Sequence, residues 1–347
     1  MILVLSYHKF EQGTDPVVDW LIRYDAPFIR LDLKSLLEGE TSMHFQDDGR
    51  IIVNGYDLQD EIKVVFYRRF MHTAPLRNCR EAPHHREQLK DDLDREAGDV
   101  FQEIFRRLDH ALWLPDYMPT ERANNKLHMA ALARRAGLKV PSTFVCNRKK
   151  DLLAFHDRTP TGLVCKPVNF CGYYFQDEYA YTAYTTLVDE AFLADIPERF
   201  FPTLFQAVVE RDFELRIFYL EGAFFPAAIY ANDYGEDLAD VKLIAEQDTT
   251  HNLPYKLPVE LTEKLHAFMQ LAGLSTGSID VLRDLDGTYQ FIEVNPVGQY
   301  LAPGRKCNYY IEKKIAQWLI QKNKQANGSP KPFPPKPTRI SRSLTAT

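Results

Sequence analysis

Residues 2–5 (Ile-Leu-Val-Leu) are a short apolar run fit for a buried strand, and residues 16–24 space Val17, Val18, Leu21 and Ile22 at helical intervals. Residues 28–33 alternate apolar and polar, so the chain is expected to open strand, helix, strand. Asp47-Asp48-Gly49 and Asn54-Gly55 are hairpin turn signals, and another strand is predicted over 64–70. Between 84 and 112, Leu89, Leu93, Ala97, Val100, Phe101, Ile104, Phe105, Leu108 and Leu112 recur at steps of mostly three or four. That spacing predicts one long amphipathic helix packed on a core. Its acidic face (Asp91, Asp92, Asp94) could serve a second copy of the chain in a homodimer. Pro115 and Pro119 then interrupt the pattern, and a domain boundary is expected there.

Residues 124–136 have helical composition, and Gly137 with Pro141 is a stop signal before a strand over 142–146. A short helix (150–156) and a strand (163–167) follow, then an aromatic stretch (170–184) that reads as a loop. Strands are predicted over 204–209, 214–220 and 227–230, and a helix over 258–272 closed by Gly273. Strands over 278–282 and 290–294 flank the turn Asp284-Leu285-Asp286-Gly287, and a last helix covers 310–320. Pro330, Pro332, Pro334, Pro335 and Pro337 mark the remainder as an extended or disordered tail.

Composition adds limits. At 347 residues, 45% hydrophobic and 26% charged, the chain is an ordinary folded protein of two or three domains, large enough for a cleft between lobes. The net charge of −6 offers no bulk positive field for nucleic acid or acidic lipid, so neither is expected as a partner. Residues 321–347 hold six basic side chains and no acidic one, which leaves 36 basic against 48 acidic in the body. The five cysteines show no C-x-x-C, and reduced thiols are expected. The first residues lack a basic, long apolar signal segment and no stretch reaches about 18 apolar residues, so a cytoplasmic location is expected.

Candidate chemistry concentrates late in the chain. In Gly277-Ser-Ile-Asp280 and Phe291-Ile-Glu293-Val-Asn295-Pro-Val-Gly298, Glu293 and Asn295 are two apart on one strand and so share a face. A hairpin partner can bring Asp280 beside them. Taken singly these are ordinary strand residues. Together, two carboxylates and an amide oxygen suit a hard cation, Mg²⁺ above all.

The Asp280, Glu293, Asn295 pattern resembles the metal-binding end of the ATP-grasp superfamily. The resemblance implies an α+β (α/β) fold: a Rossmann-like pre-ATP-grasp domain (1–117), a central lobe (118–205) and a C-terminal lobe (206–321) clamping ATP, with 322–347 left as the tail. It implies two phosphate-binding lysines, matched by Lys126 and by Lys166 in Leu-Val-Cys-Lys-Pro. It also implies an adenine-binding hinge, matched by Gln206, Ala207, Val208 and Val209, with Glu214 or Glu210 taking the ribose hydroxyls. Arg216, two residues beyond Glu214, would clamp a phosphate or acyl phosphate, and Lys166, Arg216 and Asn295 would be the catalytic set.

Within the superfamily, residues 1–33, Phe66-Tyr-Arg68-Arg69-Phe70, the 202–206, 254–258 and 291–299 segments and Cys307-Asn-Tyr-Tyr look like the peptide-maturing branch of microviridin-type ligases and grasp-with-spasm maturases. The similarity covers about residues 1–320. It implies ATP- and Mg²⁺-dependent crosslinking of a ribosomally made precursor peptide, Asp or Glu carboxylates being joined to Ser, Thr or Lys. Arg68, Arg69, Lys242 and Arg305 are candidate peptide contacts. Asp240-Val241-Lys242 stands where Asp-x-Arg is expected, which keeps the charge and loses the guanidinium fork. Two other functions share these residues: addition of a free amino acid to a peptide or protein end, and peptide binding without catalysis.

Overall fold

The computed structural model describes residues 1–70, 85–169, 174–176, 179–181, 183, 185–231 and 250–328. In chain order the N-terminal region runs β1 (Ile2–Ser6), α1 (Asp15–Arg23), β2 (Phe28–Asp32), α2 (Leu33–Leu37), β3 (Met43–Phe45), β4 (Ile51–Val53), β5 (Tyr56–Asp57), α3 (Leu58–Glu61), β6 (Val64–Tyr67), α4 (Arg86–Arg107) and β7 (Leu112–Leu114). Strands β2-β1-β6-β7 form one parallel sheet, while β3, β4 and β5 form a small antiparallel one. Both faces of the parallel sheet are covered, which is why β1 is an unbroken apolar run. Leu3, Leu5, Val65 and Tyr67 pack with Phe101, Ile104, Phe105 and Leu108 of the helical segment that follows.

Two expectations change here. The long helix stops at Arg107, and Leu112 belongs to the edge strand β7. Only its second half is core: Phe101, Ile104 and Phe105 are buried, whereas Leu93 and Val100 are exposed. The strand expected over 64–70 ends at Tyr67, and Arg69 turns the chain with φ +54°.

The chain continues through α5 (Tyr117–Ala123), α6 (Lys126–Arg135), β8 (Thr143–Arg148), α7 (Lys149–Asp157), β9 (Leu163–Lys166), β10 (Tyr174–Gln176), β11 (Tyr179–Tyr181), β12 (Thr186–Leu187), α8 (Glu190–Asp195) and β13 (Arg199–Ala207). Strands β12-β9-β13-β8 form an antiparallel sheet over the small core Cys146, Leu152, Phe155, Leu163, Val188 and Phe205. The aromatic stretch read as a loop contains the antiparallel hairpin β10–β11. Pro119 does not break the chain; it sits in the first turn of α5, where no intrahelical N–H is needed.

The last part comprises β14 (Arg211–Leu220), β15 (Ala223–Ala231), β16 (Thr250–Pro254), α9 (Val259–Ala272), β17 (Thr276–Asp284), β18 (Tyr289–Asn295), α10 (Leu301–Lys306) and α11 (Ile311–Gly328). Strands β16-β15-β14-β17-β18 form an antiparallel sheet. One face carries Leu215, Ile217, Tyr219, Ile279, Val281 and Phe291 against α6 and α9, so α6 packs with this lobe although the expected boundaries put it in the central one. The other face is divided. Phe218 and Leu220 join Tyr300 and α11 in a core shared with Ile2, Val4, Val64 and Phe66 of the N-terminal sheet. The remainder carries charge. Helix α11 runs to Gly328, with Asn323 buried, so the tail expected from residue 322 begins inside a helix. Among the described residues no helix is long and apolar enough to cross a membrane.

Candidate active site

On the charged half of that sheet, Arg216 of β14 pairs in register with Asp280 of β17, and Asp280 pairs with Glu293 of β18. The row depends on a bulge. Counting back from the turn, Val281 lies opposite Phe291, and both are in the core. Regular alternation would next set Asp280 against Ile292 and leave Glu293 on Phe291's buried face. The register shifts between Asp280 and Val281, so Ile292 is the extra residue and Glu293 turns to face Asp280's side. Asn295 follows two residues on, opposite Ser278.

Arg216 binds both neighbours on its face. Its Nε donates to Asp280 Oδ1 at 3.0 Å and its Nη2 to Asp280 Oδ2 at 3.4 Å and to Glu214 Oε1 at 3.2 Å. The Asp280 charge, against the opposing pull of burial and with help from Glu214 and Glu293, raises the guanidinium pKa above its ordinary value. Arg216 is a permanent cation here. Lys126, the first residue of α6, sits over the end of the row: its Nζ is 3.5 Å from Glu293 Oε2 and donates to the Asn169 carbonyl at 3.3 Å. The Asn125 carboxamide caps this helix through the amides of Leu127 and His128, which fixes where Lys126 begins.

Lys166 ends β9 and is 8% exposed. Its Nζ donates to Gln206 Oε1 at 2.6 Å; Gln206 Nε2 donates to Thr143 Oγ1, which in turn donates to the Pro141 carbonyl. A buried ammonium needs such partners. Gln206 thus acts through its side chain as well as lying at the head of the expected hinge. The amides of Ala207 and Val208 already donate to the Ser142 and Gly162 carbonyls, so these two hinge amides do not serve a base in this arrangement. Glu210 is exposed, whereas Glu214 is buried and bound to Arg216.

Asp280, Glu293 and Asn295 supply only oxygen donors, the chemistry that Mg²⁺ selects. Among the described residues no three His, Cys, Asp or Glu side chains converge as a metal cluster, so the two carboxylates need the Asn295 amide oxygen or a ligand's own oxygens to complete a shell. Ser278, the register partner of Asn295, has a buried hydroxyl with no hydrogen-bond partner, a vacancy in the polar accounting beside this set. The residues present therefore fit a hard cation.

The four expected peptide contacts separate. Arg305 is exposed at the end of α10, and Arg69 is 29% exposed with its Nε 3.9 Å from Glu11 Oε1. Arg68 is a correction: it is 3% exposed and its guanidinium is engaged by Glu11, Val297 and Gly298, so it offers no surface to a peptide. Lys242 lies outside the described residues. Glu11, which holds Arg68, and Gly13, which leaves room for it, carry no motif; a carboxylate ahead of a Gly-Thr pair is the one visible signal.

No family model and no curated protein matches this sequence. Solved structures do. The macrocyclase MdnC of Microcystis aeruginosa MRC, bound with precursor peptide MdnA, superposes with a TM-score of 0.76 at 22% identity over 92% of this chain and 99% of its own. A RiPP-associated ATP-grasp ligase of Chryseobacterium gregarium, in complex with ADP and a leader and core peptide, gives 0.75 at 20% identity over 92% and 96%. The ATP-grasp ligase PsnB, complexed with minimal precursor, Mg and ADP, gives 0.73 at 17% identity over 93% and 97%. Similarity across nearly the whole of both chains gives this chain the fold of ATP-grasp ligases.

Proposed function

We propose that the chain is an ATP-dependent ligase that crosslinks side chains of a ribosomally made peptide. The observation that carries this reading is the row Arg216, Asp280, Glu293 on three adjacent strands, met by Lys126 from α6. Each charge is held by an opposite one that a ligand could replace: phosphate oxygens for the carboxylates that hold Lys126 and Arg216, a cation for the bases that hold Asp280 and Glu293. A nucleotide–Mg²⁺ pair brings both at once. The peptide-bound neighbours direct the choice of substrate toward a precursor peptide.

In the proposed reaction a carboxylate oxygen of a peptide Asp or Glu attacks the γ-phosphorus of ATP, the bond to the β,γ-bridging oxygen breaks, and ADP leaves. A Ser or Thr hydroxyl or a Lys amine then attacks the acyl carbon, loses its proton and expels phosphate, so the peptide has lost one water. Lys126 and Lys166 hold phosphate oxygens, and Arg216 holds the carboxyl or acyl phosphate beside them. Asp280, Glu293 and Asn295 would hold Mg²⁺, which supplies charge neutralisation of the phosphates. No nucleophile of the protein is needed, since the chain's task is to hold two peptide side chains within reach of each other. Arg69 and Arg305 are the accessible bases for an acidic peptide.

Incubation of the purified chain with ATP, Mg²⁺, a mixture of free amino acids and a candidate precursor peptide taken from a small reading frame beside its gene, followed by mass spectrometry, tests the reading. Loss of one water per crosslink is expected. A gain of an amino-acid residue mass would instead establish amino-acid ligation, and an unchanged mass with ATP bound would leave only a binding protein.

A further inference from the structure

Arg68 directly follows β6 and divides its donors between Glu11, 57 residues back, and the Val297 and Gly298 carbonyls, 229 and 230 residues on. Nε and Nη2 donate to Glu11 at 3.1 and 3.4 Å, Nη1 and Nη2 each donate to the Gly298 carbonyl at 3.2 Å, and Nη1 also donates to the Val297 carbonyl. Its guanidinium carbon lies 5.4 Å from the centre of the buried Tyr300 ring, whose hydroxyl donates to the Gly13 carbonyl. Gly13 is required for this fit, because a methyl group there would overlap the guanidinium.

Gly298 is shared between two bonds. Its carbonyl takes Arg68, while its amide donates to the Asn295 carbonyl at 3.0 Å and to Asn295 Oδ1 at 3.3 Å. The residue has φ +70°, and a Cβ would sit 3.2 Å from the Phe218 ring, so glycine is needed on both counts. A guanidinium can converge two N–H bonds from separate nitrogens on one carbonyl while a third nitrogen reaches a carboxylate; an ammonium, with all its donors on one nitrogen, cannot span these acceptors.

We infer that Arg68 is a positioning residue: anchored by Glu11 in the N-terminal domain, it fixes the 295–298 turn and, through Gly298, aims the Asn295 carboxamide at the cation site. This rests on the reading of Asn295 as a metal-end residue. A staple that merely joins the lobes would share the same burial, but its loss would be felt in stability and not in metal affinity.

The test is Mn²⁺ binding by the full-length chain in the presence of ADP, followed by the electron paramagnetic resonance of the free ion, with melting temperature measured in parallel. The double variant E11Q/R68M removes both buried charges together, and R68K keeps the charge but loses the fork. Each is expected to weaken Mn²⁺ binding roughly tenfold or more, the usual cost of removing a group that orients a ligand. That loss in either variant, measured well below its own melting temperature so that the chain is folded, supports the role. Wild-type Mn²⁺ affinity in a folded variant, with N295A weakened, overturns the positioning role while leaving the metal reading intact. Wild-type affinity in N295A overturns the metal reading, and the positioning role falls with it.

Discussion

Two arginines, Arg216 within the five-stranded sheet and Arg68 between the N-terminal sheet and the 297–298 turn, use the same chemistry for different ends. Arg216 lies among side chains only, with Asp280 and Glu214 on its own and the next strand. Arg68 lies among main-chain carbonyls and one carboxylate, and its side chain is 4% exposed against 14% for the side chain of Arg216. Side-chain partners on a half-open face can be traded for a ligand, because each rotates independently. Carbonyls of a fixed turn cannot. The first arrangement suits binding and turnover, and the second suits holding a geometry. An arginine paired with a carboxylate is thus not one kind of evidence, and its acceptors decide which kind it is.

The sharpest way to break this contrast is to remove one carboxylate of the exchangeable set. E293Q keeps the shape of the residue and removes the charge opposite Lys126, so ATP-dependent product should fall by roughly a hundredfold or more with the melting temperature little changed. Near-normal turnover would remove Glu293 from the metal end. R68M makes the reverse case. It strands Glu11 as a buried carboxylate and leaves two carbonyls unpaired, which should lower unfolding free energy by about 3–5 kcal/mol in chemical denaturation. A loss below about 1 kcal/mol would mean the contact is no firmer than a surface pair.

K166A is an intermediate case. Lys166 is nearly as buried as Arg68 but is held by a side-chain amide, Gln206, so it belongs to the exchangeable class. Loss of one charge-assisted contact to phosphate should cost about 1.5–3 kcal/mol, or some 10- to 100-fold in ATP affinity by calorimetry. Unchanged ATP binding would reject the phosphate contact.

What could be read in advance follows the same division. Asp280, Glu293 and Asn295 lie on strands that flank a turn signal, where alternation places side chains on faces, whereas Lys126, Lys166 and Arg216 are singled out only through the family resemblance. The route by which Glu293 reaches Asp280 was not read in advance, because the bulge at Ile292 shows only as the apolar doublet Phe291-Ile292, which strands buried on both faces also carry. Arg68 was misplaced for another reason. Its partners lie 57 and 230 residues away, and an Arg-Arg pair after an apolar strand looks the same in sequence whether it faces solvent or a neighbouring lobe. The net charge says little about such a row, since an overall acidic chain still sets Lys126 and Arg216 against Glu293 and Asp280.

The smallest expected effect separates the two regions by pH. Burial would raise the Glu11 carboxyl, but the charge and hydrogen bond of Arg68, the Thr14 hydroxyl and the Arg69 charge outweigh it and hold the group below the usual carboxylate range. Near pH 4 the unfolded chain therefore binds a proton at this position more readily than the folded one, so stability from Glu11 is fully present above the unfolded value of about 4.3 and is lost as pH falls through the lower folded value. E11Q has no such proton to take up. It should be less stable than wild type at pH 7, and the gap should narrow as pH is lowered from 5 toward 3, measured as urea midpoints at each pH. A gap that stays constant over that range would mean that Glu11 is not ionised against Arg68 in the folded protein, and the latch would then rest on the carbonyls of Val297 and Gly298 alone.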